Sequence, residues 1–152
     1  MHWSNEQSTA LHNILVSLLR TGRQMLAVLT AERDALIQRE PPAASITEEK
    51  AQLASILADM HGTYDQLIDG RNIVDLRQQL ASEAPDLILL LDDVKAILND
   101  CDEYNHINGR LLARTHIKYQ LLNRLLKNSH PDPTYSRGGQ LSESNHGSLG
   151  KA

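Results

Sequence analysis

The sequence predicts an all-α protein: an antiparallel helical hairpin plus a third, very long helix. Together they make a three- to four-helix bundle, coiled-coil-like along its seam, followed by a disordered C-terminal tail. Three observations carry this prediction. Apolar residues recur in steps of four and three along three long stretches, the spacing of helices packed lengthwise on one another. No stretch alternates apolar and polar residues as a half-buried strand does. The apolar content is mostly Leu, Ile, Val, Ala and Met, with no Phe, one Trp and four Tyr, which suits helices and makes strands poorly.

The first helix, expected over 8–39, carries Leu11, Leu15, Leu18, Gly22, Met25, Leu29, Glu32 and Leu36 at heptad spacing. Pro41 and Pro42 break it, because neither can continue a helix interior. The stretch "SITEEK" restarts the chain as a second helix over 46–69, and either Ser45, with Glu48 three residues on, or Thr47 could cap it. Its stripe is Ile46, Lys50, Leu53, Leu57, Met60, Tyr64 and Leu67.

Folding the chain back at Pro41 pairs the two stripes. Leu36 meets Ile46, Glu32 meets Lys50, Leu29 meets Leu53, Met25 meets Leu57, Gly22 meets Met60, Leu18 meets Tyr64 and Leu15 meets Leu67. Every pair of residue numbers sums to 82, so one centre of folding serves all seven layers. Glu32 and Lys50 are the only charges on their stripes, and each is the other's partner. A lone charge on a seam is costly to desolvate, whereas a matched pair is tolerated and sets register; a solvated surface pair is the alternative. Gly22 has no side chain and leaves room for Met60.

"IDGRN" ends the second helix, with Gly70 in a capping position, and a short helix follows over 72–82. Pro85 then opens the third long helix, expected over 86–128, so that the bundle domain is 1–128 and the tail 129–152. The tail is rich in Ser, Gly, Pro, Asn and His, a composition without a core of its own. The third stripe is Leu87, Leu91, Val94, Leu98, Cys101, Asn105, Asn108, Leu112, Thr115, Tyr119, Leu122 and Leu126, with a flanking row of Leu90, Ile97, Tyr104, Ile107, Leu111, Leu121 and Leu125.

Length turns that stripe into a functional expectation. At a rise of about 1.5 Å per residue the three long helices span roughly 45, 35 and 60 Å. The third therefore draws level with the hairpin loop near Leu112 to Thr115, and its remainder carries an uncovered apolar row. Leu111, Leu112, Thr115, Tyr119, Leu122, Leu125 and Leu126 are the expected partner-binding residues, in the manner of a helix docking against a helix. Asn105, Asn108 and Gly109 place a soft, polar patch midway along the stripe. They read either as a flexible joint or, for the two Asn residues, as register-setting polar positions like Glu32 and Lys50.

Charge follows the same division. From Glu83 to Glu103 there are seven acidic residues and one base, Lys95; from Tyr104 to Asn128 there are five bases and no acid. Alignment with the helix dipole accounts only for the last turn.

Other functions find no support. A net charge of −4 is not the footprint of a nucleic-acid binder. A single cysteine, Cys101, allows no intrachain disulfide and favours a reducing compartment; no signal peptide and no membrane insertion are expected, and the chain reads as cytoplasmic. No phosphate loop, nucleophile elbow or His-Glu-x-x-His motif appears, so neither an enzyme nor a cofactor is expected. Glu103-x-x-His106 is half of a di-iron bundle motif without its second copy, no metal site is expected, and acidic neighbours would raise the Cys101 pKa.

Asn105-x-x-Asn108-Gly109-x-Leu111-Leu112, followed by a Leu-rich turn and "TYSRGGQ", resembles the C-terminal half of the FlgN-type flagellar export chaperones. "SITEEKAQLASIL" resembles their second helix, and the likeness runs from about Leu11 to Gln140. In the tail motif Tyr135 and Gly139 match, while Ser136, Arg137 and Gly138 depart from the family's usual Gly, Pro and Asp. The resemblance implies a cytoplasmic bacterial chaperone of the flagellar type III export system. It would hold hook–filament junction proteins by their C-terminal helical segments, through its own C-terminal helix. It would then deliver them to the export gate and ATPase components. The alternative is an all-helical structural or adaptor protein that self-associates through the third helix; an obligate, very stable dimer through Leu112 to Leu126 would favour it, whereas a monomer, or a weak homodimer that dissociates when client is added, would favour the chaperone.

Overall fold

The computed structural model describes residues 4–129, apart from the side chains of residues 118, 119 and 127–129. Four helices succeed one another: α1 (Asn5–Ile37), α2 (Ala44–Ile68), α3 (Ile73–Glu83) and α4 (Pro85–Ser129). Among the described residues there is no strand, and the fold is all-α. Two compact units divide the chain, residues 1–112 and 113–152, with α4 contributing to both. The expected tail, 129–152, lies outside the described residues but for the backbone of Ser129.

Local chemistry sets the helix ends. α1 begins three residues before the expected Ser8 because Ser4 and Gln7 form a capping box. The Ser4 hydroxyl accepts from the Gln7 amide, and Gln7 Oε1 accepts from the Ser4 amide, both at 3.1 Å. At its other end the Glu40 amide bonds to the Ala35 carbonyl at 2.9 Å and the Arg39 amide to the Leu36 carbonyl at 3.2 Å. That is a Schellman ending, in which Arg39 takes the left-handed position (φ 62°) more often held by glycine.

Two expected caps are corrected. Neither Ser45 nor Thr47 caps α2; the cap position is Ala43, with no side-chain bond, because the helix starts at Ala44, which puts both hydroxyls inside its first turn. At the end of α2 the residue at the cap is Asp69, left-handed at φ 48°, and Gly70 follows in the same region at φ 66°. Asn72 caps α3 by accepting from the Val74 amide at 3.0 Å.

The first unit packs around the stripe of α1. Leu11, Leu15, Leu18, Gly22, Met25, Leu29, Glu32 and Leu36 are all buried. On α2 every residue of the expected stripe is at least partly buried, with Leu53 the most enclosed. α3 contributes Leu76 and Leu80, both fully buried, to a cluster with Leu11, Leu15, Leu18, Leu87, Leu91 and Val94. A second cluster joins Met25, Val28, Leu29 and Leu53 to Cys101. Each fully buried leucine contributes about 1.5–3 kcal/mol of transfer free energy, which dwarfs the tenths contributed by helix propensity.

By length and composition α1 is apolar enough to cross a bilayer. Its apolar face, however, is occupied by the bundle, and it carries the buried Glu32.

Gly22 is corrected as well. A Cβ placed there would come within 2.9 Å of Ile97 Cγ2 and 3.7 Å of Leu98, so the missing side chain makes room for α4, not for Met60. The neighbour that meets Met60 is Thr21, whose hydroxyl donates to the thioether at 3.7 Å. The Gly22 carbonyl also accepts from the Cys101 thiol at 3.3 Å, a second sign of how closely α4 approaches this turn.

Candidate functional site

Glu32, Lys50 and Asn108 meet inside the first unit. Lys50 Nζ donates to both carboxylate oxygens of Glu32, at 3.1 and 3.2 Å. Asn108 Nδ2 donates to Glu32 Oε2 at 2.8 Å and to the Leu29 carbonyl at 2.9 Å. One carboxylate thus joins three helices. The two acceptors fix the amide's orientation, since its oxygen would be repelled by both. Asn108 is 2% exposed, and its Oδ1 has no partner among the described residues. Beside this layer the Arg33 guanidinium lies 5.2 Å from the centre of the Tyr104 ring, a cation–π contact between α1 and α4.

Asn105 does not sit on the seam. It is exposed, because Tyr104 is the residue turned inward between Cys101 and Asn108, where Arg33 covers it. Gly109 is exposed and lies in uninterrupted helix, and a Cβ added there would meet nothing within 4 Å.

Beyond Asn108 the burial of the α4 stripe ends. Leu111 and Thr115 are partly buried, whereas Leu112, Leu122, Leu125 and Leu126 are 51–63% exposed. Tyr119's side chain lies outside the described residues. Leu121, from the flanking row, and Ile117, which the stripe omits, are exposed to the same degree. The signal for Ile117 is its place four residues before Leu121, which widens the row on one side. His116 and Gln120 pair at 3.1 Å along the helix, so the polar side is internally bonded. Arg110, Arg114 and Arg124 are exposed.

Among the described residues no group of three or more His, Cys, Asp or Glu could hold a metal. Burial is the main cause that pushes the Cys101 thiol above its usual pKa, with Asp100 adding to it, so the thiol is held protonated. A groove of about 520 Å³ has Leu15, Leu91, Val94 and Leu98 among its walls and the Arg77–Asp92 pair at its edge. The guanidinium's hydrogen bonds are the main cause that holds the Asp92 carboxyl below its ordinary range. Burial raises the Tyr64 phenol at the same groove.

A folded helical bundle that keeps a heptad-spaced apolar row in water has the construction of an all-helical interaction protein. The family model described as FlgN protein matches residues 1–143, and the chain belongs to that family, the soluble, cytoplasmic flagellar export chaperones. No curated protein and no solved structure matches the chain.

Proposed function

We propose that this chaperone uses the row from Leu112 to Leu126 on α4 to hold the C-terminal helical segment of hook–filament junction proteins in the bacterial cytoplasm. It keeps them from assembling early and hands them to the export gate and its ATPase. The single observation behind this reading is the exposure of Leu112, Leu122 and Leu126, at 52, 51 and 55%, in the same four–three rhythm that is buried earlier in α4. Four large leucines left in water within four turns cost about 25 cal/mol per Å² of apolar surface, which a client helix recovers on docking. The client's own apolar face is shielded in the same step, which is what holding an assembly-prone segment requires.

Glu32, Lys50, Asn108 and Gly109 have a supporting role in this reading. The three-way polar layer sets the register of α4 against the hairpin, and Gly109, next to it, softens the helix where its burial ends. Asn105 has no part in that layer.

Isothermal titration of the full chain with synthetic C-terminal segments of junction proteins tests the proposal. Leu122→Asp combined with Leu126→Asp is expected to weaken binding by about a hundredfold or more, two desolvated anchors being lost, with the unfolding midpoint nearly unchanged. Retention of binding in that variant would exclude the row as the site.

A further inference from the structure

We infer that Trp3 straps the N-terminal end of the bundle shut, its indole seated in a groove between α1 and the corner where α3 passes into α4. Ser8, Thr9 and His12 form one wall of that groove, and Ala84, Asp86 and Leu87 form the other, around a volume of about 320 Å³. Trp3 is the chain's only tryptophan and stands just outside the described residues, one position before the Ser4 cap. The inference does not depend on the docking reading above.

A helix start fixed by a capping box commonly adds a second clamp, in which an apolar residue just before the cap packs on the residue four positions after it. In α1 those positions are Trp3 and Ser8. The Ser8 amide bonds to the Ser4 carbonyl at 3.0 Å, which stands Ser8 one turn above the cap. Serine gives an indole nothing apolar to rest on. The neighbouring corner does: Leu87, 6% exposed, and the half-buried Ala84 line the groove that opens beside Ser8. The Thr9 hydroxyl is turned to the Asn5 carbonyl at 2.9 Å, so it leaves no unmet donor on that wall. Asp86 is the one carboxylate on the groove and accepts from the indole N–H, a group that takes a partner when buried.

Size and tethering single out this occupant. A dry cavity of about 150 Å³ takes up benzene, so a groove of about 320 Å³ has room for the two fused rings of an indole. A tryptophan brings about 150–250 Å² of surface that water covers poorly. A side chain from a partner or a second copy competes with a ring held one residue from the groove's lip, at an effective concentration in the millimolar range. The strap closes a loop of only a few residues, so its ordering cost is small. Seated there, Trp3 ties the first turn of α1 to elements that lie far along the chain.

Intrinsic fluorescence of the full chain reads Trp3 alone when excited beyond the tyrosine band. Its emission is expected to the blue of that in urea, and iodide should quench it severalfold less in the folded chain than in the unfolded. In chain labelled at alanine and leucine methyls, the single indole should give nuclear Overhauser cross-peaks to Ala84 and Leu87. Trp3→Ala leaves the capping box of Ser4 and Gln7 intact. It should still lower the thermal midpoint by about 4 °C or more, with part of the shift regained in Trp3→Phe. An indole as open to iodide in the folded chain as in urea overturns the inference, as does a midpoint that Trp3→Ala leaves unmoved. Cross-peaks that vanish on dilution assign the groove to a second copy's tryptophan and overturn the strap within one chain.

Discussion

The two halves of α4 are written in the same pattern and meet different fates. Leu87, Leu91, Val94 and Cys101 are 4–8% exposed, while Leu112, Leu122 and Leu126 are 51–55% exposed. A heptad stripe therefore states that a face needs covering without stating what covers it. In the first half the chain supplies the cover, from α1 and α3. In the second half the described residues leave the row open, and charge changes sign from acidic to basic on the way.

The largest expected contrast comes from cutting leucines in the two settings. Leu15→Ala or Leu80→Ala, at fully buried positions, should cost about 2–5 kcal/mol in urea unfolding, through lost transfer free energy and the cavity left behind. Leu122→Ala, half exposed, should stay within about 0.5 kcal/mol of the parent. If Leu122→Ala costs as much as the core variants, the distal row is packed in solution and the contrast between the halves collapses.

Next in size is the polar layer at which the two regimes meet. Lys50→Glu sets two carboxylates together at a site where the Lys50 side chain is 29% exposed, so the loss should fall below that of a fully buried broken pair, at about 2 kcal/mol. Adding Glu32→Lys restores the opposite charges and should recover part of that loss. Full recovery is not expected, because Asn108 Nδ2 would then face an ammonium in place of a carboxylate acceptor. A double variant no more stable than Lys50→Glu alone would mean that the pair contributes nothing to register.

What the sequence made legible follows from the number of helices each inference involves. The α1 and α2 stripes can be read residue by residue, and the Glu32–Lys50 contact with them, because two antiparallel helices joined by a short loop have one free parameter, the centre of folding. Three-body packing is not legible in that way. Pairing stripes two at a time gives Gly22 to Met60, whereas the close approach of Ile97 on α4 is what uses the missing side chain. The same limit puts Asn105 on a seam that Tyr104 occupies, since a drift of one residue in phase is invisible until a third helix fixes it. Helix caps are harder still: Ser45 and Thr47 have the right chemistry, but α2 begins at Ala44, which puts both inside its first turn. For the candidate row, excess helix length points to the exposed leucines. It does not name their occupant, because an apolar row looks the same to every apolar partner.

Two glycines give the smallest and sharpest comparison. Gly22 is buried against α4, and a methyl group there would stand 2.9 Å from Ile97 Cγ2. The end of an isoleucine can shift a little, and alanine gains about 1 kcal/mol of helix propensity over glycine, so Gly22→Ala should lose only about 1 kcal/mol net against overpacking of 1–3. Gly109 has open space around it within a continuous, exposed stretch of helix, so Gly109→Ala should gain about 1 kcal/mol. Opposite signs from one chemical change would mark where tight three-helix packing gives way to open helix. The same Gly109→Ala variant also separates the two uses of the soft patch. A joint that must bend to admit a client predicts slower association of the client segment in stopped-flow mixing despite the higher stability. A patch that only sets register predicts an unchanged association rate, since Asn108 and its bonds to Glu32 and Leu29 are left intact.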